Sequence, residues 1–241
     1  MKSRTANPII FALDVGSWDE AQRFVEALRD WVWGFKVGKE LFTWMGPKVV
    51  EMVQKKGANV FLDLKYHDIP ATVAQASTMA TRLGVSMFNL HALGGLEMMR
   101  AAVEASHEVA HKEGLTSPLI LGVTVLTSLR EGDLRAVGIS KPLEEEVVQL
   151  ATLAQQAGLN GVVASPLEIK PLRQSCGGDM VIVTPGVRPQ RGARHDQARV
   201  MTPHEAVAAG ADYVVIGRPI REAQDPLKET KNILQEIKSA T

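Results

Sequence analysis

The sequence has little of several features that mark particular classes of protein. It contains one cysteine, Cys176, which rules out an internal disulfide framework and a cysteine-rich metal site. Lysine and arginine together number 27, as do aspartate and glutamate, so no excess charge drives binding to nucleic acid or membranes. No apolar run approaches the ~18 residues that span a bilayer, and the polar residues 1–7 are not followed by the apolar core of a signal peptide. We therefore expect a cytoplasmic protein with no nucleic-acid or membrane partner.

Two nucleotide-binding motifs are also missing from the sequence. The first apolar run is not followed by a Gly-x-Gly-x-x-Gly turn, and no Gly-x-x-x-x-Gly-Lys loop occurs.

His107 and His111 are four residues apart on a predicted helix, a spacing at which two imidazoles can share a metal ion. Without an evident third ligand, we interpret them as a solvated helical pair.

Short apolar, β-branched runs alternate with longer amphipathic stretches along the whole chain, which is the pattern of repeated βα units around a parallel sheet. Eight units of about 30 residues favour an α/β fold of the (β/α)8 TIM-barrel type, forming a single domain over residues 1–241. An open doubly wound sheet is the alternative. The predicted strands are Ile9–Leu13, Gly34–Val37, Val60–Leu64, Met87–Leu90, Leu119–Val123, Gly161–Ala164, Val181–Val183 and Tyr213–Ile216.

The ends of the predicted helices carry their own signals. Ser17 and Thr202 each precede a glutamate by three residues, which is the capping-box pattern at a helix start. Glycines follow four helical patterns shortly before the next strand, where a left-handed residue commonly ends a helix. These glycines are Gly57, Gly84, Gly158 and Gly210.

Polar residues follow or end almost every predicted strand, on the side where barrel enzymes build their sites. Any one of them could equally be a helix cap or a solvent-exposed residue. Their coincidence on one rim favours an active site. The residues are Asp14, Lys36, Asp63 with Lys65, Asn89 with His91, Thr124, Ser165, Arg188 and Arg218.

Asp63 and Lys65 are two residues apart on the third predicted strand, so their side chains should leave the same face. Burying such a pair is costly unless further partners compensate, and Lys36 and Asp68 could complete an alternating Lys-Asp-Lys-Asp array. A purely structural ion-pair network is the alternative. We favour a catalytic role for these charged residues, because charges at the mouth of an apolar barrel more often serve catalysis.

The segments after the last two strands predict a phosphate site. Gly186 and Gly217 would let backbone amides approach an anion, and Arg218 could add a bidentate contact at the start of a helix. Gln197 can reach the same anion from the long polar loop 188–199, which we interpret as a lid. A surface loop with scattered arginines is the alternative.

Several motifs resemble those of the orotidine 5′-phosphate decarboxylase family. The most specific is Asp63-x-Lys65-x-x-Asp68-Ile69-Pro70-x-Thr72. The others occur in the family's order over nearly the whole chain. They are Phe11–Asp14, Phe35–Gly38, Val125–Ser128, Thr184–Arg188, Asp196-Gln197 and Val215–Pro219.

The resemblance implies decarboxylation of orotidine 5′-phosphate to UMP and CO2, the last step of UMP synthesis, without metal or organic cofactor. It implies that Lys65 stabilises a carbanion at C6 of the pyrimidine and then protonates it, while Asp63 faces the substrate carboxylate. By the same resemblance Lys36 orients Asp63 and contacts the ribose, Asp14 binds a ribose hydroxyl, and Thr127 lies near the pyrimidine.

The family pattern also implies a homodimer in which Asp68 and Thr72 reach into the partner's site. Phosphate contacts would come from Arg188, Gln197, Gly217 and Arg218. Three alternatives stay open: a metal-dependent sugar-phosphate decarboxylase or epimerase, an aldolase with a Schiff-base lysine, and a non-catalytic phosphate-binding barrel.

Overall fold

Eight parallel strands pair in sequence order, and the last pairs with the first to close a barrel. This computed structural model describes residues 7–189 and 201–239. The strands are β1 Ile9–Ala12, β2 Gly34–Gly38, β3 Asn59–Tyr66, β4 Met87–His91, β5 Leu119–Val123, β6 Gly161–Val163, β7 Val181–Pro185 and β8 Tyr213–Ile216. All eight predicted strands are confirmed, and the closure decides for the barrel over the open sheet.

Helices surround the barrel and connect each strand to the next. They are α1 Trp18–Leu28, α2 Lys39–Met45, α3 Lys48–Lys55, α4 Pro70–Arg82, α5 Gly95–Glu113, α6 Glu131–Ala136, α7 Leu143–Gln156, α8 Ile169–Cys176, α9 Pro203–Ala209, α10 Arg218–Arg221 and α11 Pro226–Lys238. Two short 3₁₀ turns, Ala92–Gly94 and Pro166–Glu168, precede α5 and α8. Within the described ranges, no helix combines the length and the apolar character that crossing a bilayer demands.

The predicted helix ends are confirmed. The Ser17 side chain accepts a hydrogen bond from the Glu20 N–H at 3.3 Å, and Thr202 and Glu205 cap each other's backbone at the start of α9. The four predicted terminal glycines all have positive φ angles, between 68° and 119°. These local signals fix where each βα unit turns.

Two layers of apolar side chains make up the core. Alternate strand residues point outward and pack against the helices, as Ile9 and Phe11 do, while Ile10 and Ala12 point into the barrel. The interior is filled mainly by Phe61, Met87, Leu121, Val123, Val163, Val183, Tyr213 and Val215. This packed interior forms an apolar floor beneath the carboxyl ends of the strands.

Gly161 provides a test of the barrel's packing, because β6 and β7 meet closely there. A Cβ atom added to Gly161 would lie 2.3 Å from the Val181 carbonyl oxygen, whereas one added to Gly178 would meet nothing within 4 Å. We expect Gly161→Ala to lower the free energy of unfolding by about 1–3 kcal/mol or more, and Gly178→Ala to change it little. Urea unfolding of both variants measures this, and equal stabilities would contradict the close packing.

Candidate active site

A row of four alternating charges crosses the carboxyl ends of β1, β2 and β3. Lys36 Nζ lies 2.9 Å from Asp14 Oδ1 and 3.5 Å from Asp63 Oδ2, and Lys65 Nζ lies 2.6 Å from Asp63 Oδ1. The side chains of Lys36 and Asp63 are each only 12% exposed, and that of Lys65 is 23% exposed. The predicted pairing of Asp63 with Lys65 is therefore present, with Lys36 on the other side of the carboxylate.

The backbone reaches this arrangement through a break in the β3–β4 ladder. The register shifts between Leu62 and Tyr66, and within the described ranges Lys65 is the one non-glycine residue with a positive φ, at 54°. Such a conformation costs about 1–2 kcal/mol for an L-residue and persists only where its surroundings fix it. The two side chains meet as predicted, but they do so through a bulged strand with a left-handed Lys65 and not through the regular alternation of a strand.

Asp14, and not Asp68, takes the fourth place in the row within one chain. Asp68 is exposed, and its carboxylate accepts a hydrogen bond from the Ile69 N–H at 2.6 Å. Among the described residues it forms no ion pair. Thr72, on the first turn of α4, is exposed as well.

Two adjoining cavities open above the charged row. The smaller, of about 280 Å³, is lined by Asp63, Lys65 and Lys36 on one side and by apolar residues such as Val123 and Val215 on the other. The larger, of about 1350 Å³, extends from Asp14 and Lys36 to the ends of β7 and β8. Both share Lys36, Leu126, Thr127, Ser128, Pro185 and Val215, so they form one continuous site.

The far end of the larger cavity carries the predicted phosphate residues. Gly186 has a φ of 81°, Gly217 precedes α10, and Arg218 begins that helix and is exposed. Arg188 lines the same cavity. Gln197 lies outside the described residues.

Barrel closure brings this far end next to the charged row. A Cβ atom added to Gly217 would lie 3.2 Å from the Ala12 side chain, and Arg221 Nη1 donates a 2.5 Å hydrogen bond to the Asp14 carbonyl oxygen. Arg221 was not among the predicted site residues. Its position four residues after Gly217, at the end of a short helix, offered no separate signal.

Two histidines, His67 and His91, lie near Lys65. The rings of His67 and His91 are 5.3 Å apart. Burial, the nearby His67 and the ammonium groups of Lys65 and Lys39 together lower the pKa of His91 to about 4. His91 is therefore neutral at neutral pH and leaves the two lysines as the cations facing Asp63.

The helical histidine pair is remote from this site. Residues 107–111 also match the His-Glu-x-x-His pattern of zinc proteases, which the interpretation as a simple pair overlooked. Both histidines are exposed near the end of α5, on the side away from the carboxyl ends of the strands. Within residues 7–189 and 201–239, no three His, Cys, Asp or Glu side chains are grouped to hold a metal ion.

The fold and the site together define a class: a (β/α)8-barrel enzyme with a lysine–aspartate array at one end of its cleft and a glycine–arginine turn suited to a phosphate at the other. The model of the orotidine 5′-phosphate decarboxylase / HUMPS family matches residues 7–233. The chain belongs to this family.

Similarity to individual relatives supports this family membership. The chain is 56% identical to an orotidine 5′-phosphate decarboxylase of Geobacter sulfurreducens, over 98% of each chain. It is 54% identical to the protein of the same name from Syntrophotalea carbinolica, over 96% of this chain and 95% of that one. The crystal structure of orotidine 5′-phosphate decarboxylase from Lactobacillus acidophilus superposes with a TM-score of 0.85 at 35% identity, covering 96% of this chain and 99% of that one.

Glu168, on the wall of the larger cavity, gives a pH-dependent test of the site's environment. It is buried, accepts a 2.8 Å hydrogen bond from the Ser165 N–H, and its pKa is raised by burial to about 7. The folded state therefore holds a proton that the unfolded chain loses above pH 4.5. This contribution to stability is complete below pH 4.5 and is lost as the pH rises through about 7.

We expect Glu168→Gln to raise the free energy of unfolding at pH 8 by up to about 3 kcal/mol and to change it little at pH 4. Urea unfolding at the two pH values measures the difference. Glu145→Gln, at an exposed position of α7, is the matched control and should show no pH-dependent gain. An equal loss of stability at both pH values would show that the Glu168 carboxylate is not penalised by burial.

Proposed function

We propose that this protein decarboxylates orotidine 5′-phosphate to UMP and CO2, the last step of UMP synthesis, without a metal or organic cofactor. The observation that carries the proposal is the Lys65 ammonium group, 2.6 Å from the Asp63 carboxylate, at the wall of a half-apolar cavity. The family membership and the names of the relatives support the same reaction.

The chemistry requires a cation at C6 of the pyrimidine. Loss of CO2 leaves an electron pair in the plane of the ring, where the ring carbonyls cannot delocalise it, so the barrier to be removed lies toward the upper part of the ~8–23 kcal/mol that enzymes supply. In our proposal the Lys65 ammonium stabilises this pair electrostatically. It then donates the proton that forms the C6–H bond of UMP, and the resulting amine regains a proton from solvent.

Asp63 is proposed to face the departing carboxylate. Two like charges ~4 Å apart cost about 4 kcal/mol at an effective dielectric constant of 20, and this repulsion ends as neutral CO2 forms. We assign the larger share of the rate enhancement to the preorganised array, because its charges are already held in place by mutual contacts.

The remaining predicted residues are assigned to binding. Asp14 and Lys36 line the larger cavity where a ribose would lie, and Thr127 lines both cavities at the pyrimidine end. Arg188, Gly217 and Arg218 would hold the phosphate, with Gln197 as a further predicted contact. Binding energy from the phosphate, which is remote from C6, would then support catalysis at the ring.

The charges around Asp63 argue against the metal-dependent alternative. Two ammonium groups lie within 2.6 and 3.5 Å of its carboxylate oxygens. A divalent cation bound to Asp63 would be repelled by both lysines. A sugar-phosphate decarboxylase or epimerase that recruited this aspartate to a metal would first have to displace them.

Turnover of orotidine 5′-phosphate, followed by absorbance, tests the proposal directly. We expect the wild-type protein to be active in excess chelator and Lys65→Ala to lose at least about a hundredfold in kcat, because the charge at C6 is gone. Lys170→Ala, at an exposed position of α8, is the matched control and should retain full activity. Inactive wild-type protein would refute the proposal, and activity abolished by the chelator would favour the metal-dependent alternative. A borohydride-trapped adduct on Lys65 would favour the aldolase.

We further propose that the enzyme acts in the cytoplasm as a homodimer with its sites at the interface. Asp68 and Thr72 support this arrangement. They belong to the motif that carries Asp63 and Lys65, yet both are exposed and Asp68 is unpaired with any cation in the described part of its own chain. A partner's site would give these side chains a role.

Mixing two inactive variants tests the shared site. Lys65→Ala chains keep Asp68, and Asp68→Ala chains keep Lys65, so a mixed dimer contains one complete site if Asp68 crosses the interface. After co-refolding equal amounts, we expect recovery of about a quarter of the wild-type activity, since half of the dimers are mixed and each has one complete site. No recovery from a demonstrated mixed dimer would place Asp68 in the site of its own chain.

A further inference from the structure

We propose that Asn89 is a positioning residue for catalysis, which holds the backbone of Lys65 and the carboxylate of Asp63 in their working arrangement. Asn89 lies in the middle of β4 and is 1% exposed. Both ends of its side-chain amide form hydrogen bonds within the site. Nδ2 donates to Asp63 Oδ1 at 2.7 Å, and Oδ1 accepts from the Lys65 N–H at 2.8 Å. The inference rests on the proposed function for its catalytic consequence.

The break in the β3–β4 ladder explains why a side chain is needed there. Leu62 is opposite Phe88 and Tyr66 is opposite Leu90, so three residues of β3, 63–65, lie opposite the single residue Asn89. Such a bulge leaves backbone groups without their usual partners in the ladder. The Asn89 side-chain amide replaces one of these partners. It thereby holds the backbone of Lys65, the residue with the left-handed φ of 54°.

Asn89 acts on both members of the catalytic pair at once. Asp63 Oδ1 accepts from Asn89 Nδ2 at 2.7 Å and from Lys65 Nζ at 2.6 Å, so the amide fixes the oxygen to which the ammonium group is bound. The backbone of Lys65 is held by the other end of the same amide. Rotation of the Asp63 carboxylate and relaxation of the Lys65 backbone are thus opposed by one rigid group.

Few side chains could replace this amide. An aspartate at position 89 keeps the acceptor for the Lys65 N–H but, when ionised, offers no donor and puts a second carboxylate against Asp63. A leucine fills similar space but leaves the Lys65 N–H and one position on Asp63 Oδ1 without a partner in a buried setting. Both changes spare the residues assigned to ribose and phosphate binding. We therefore expect both variants to have a lower kcat and a nearly unchanged ligand affinity.

The test compares Asn89→Asp with the wild type in kcat, KM and UMP affinity across pH. At pH 7 to 8 we expect kcat to fall by about a hundredfold, as a misplacement of catalytic groups by ~1 Å can cause, with UMP affinity changed less than threefold. As the pH falls, the new carboxyl group gains a proton and can donate to Asp63 again. The ratio of variant to wild-type kcat should therefore rise toward low pH, a recovery that a merely structural role would not produce.

Asn160→Asp is the matched control. Asn160 Oδ1 accepts from the Ile120 N–H at 2.8 Å, the same kind of amide-to-backbone bond, but at the opposite end of the barrel. We expect its kcat to stay at the wild-type value. A kcat for Asn89→Asp within threefold of wild type, a flat pH ratio, or a parallel loss of kcat and UMP affinity would overturn the proposal.

A second variant makes the positioning claim independent of turnover. In a crystal structure of Asn89→Leu we expect Lys65 to leave the left-handed region and its Nζ to move away from Asp63 Oδ1. An unchanged Lys65 backbone and ion pair would overturn the proposal even if activity fell. Inactivity of the wild type would instead count against the proposed function alone, because this structural result does not depend on turnover.

Discussion

The contact on which the site depends is the Asp63 carboxylate held between two ammonium groups. A buried carboxylate without partners would be strongly disfavoured, and so would either lysine alone beside an apolar cavity. Together, Lys36 on one oxygen and Lys65 with Asn89 on the other make the burial tolerable. Each group is thereby fixed by the others before any ligand arrives, so little reorganisation remains for the chemical step.

Closure of the barrel determines whether this charged row can serve a phosphate substrate. In an open sheet with the same strand order, β1 and β8 would lie at opposite edges, and the row on β1 to β3 would be far from the turn after β8. Pairing of the two strands instead places Gly217 against Ala12 and lets Arg221 bind the Asp14 carbonyl oxygen. In the proposed binding mode, the two ends of the ligand would be bound by segments about 150 to 200 residues apart in sequence.

Much of the fold was predictable from the sequence, because it depends on local chemistry. β-branched runs and capping residues located the strands and helix starts, because both depend on neighbours within a few positions. The left-handed backbone of Lys65 was not predictable, since nothing near a lysine favours positive φ and the side chain bonded to its N–H, Asn89, lies across the ladder. Asn89 did carry a signal, as a polar residue within the apolar run Met87–Leu90, but its two partners depend on the bulge. For Asp68, the sequence motif could not distinguish contacts within a chain from contacts between chains.

The geometry of the Asp63–Lys65 pair suits a reaction that moves negative charge without changing its amount. Before the bond breaks, the charge lies on the substrate carboxylate, and afterwards it lies on C6, about one bond length away. In the proposed binding mode Asp63 is nearer the first position and Lys65 nearer the second, so this movement runs from the repelling group toward the attracting one. An array of this kind stabilises the transition state more than the bound substrate, which is the condition for raising kcat. In the same proposed binding mode, a cation at His91 would also attract the substrate carboxylate and reduce that difference. Burial lowers the pKa of His91 to about 4, so no charge arises there at neutral pH.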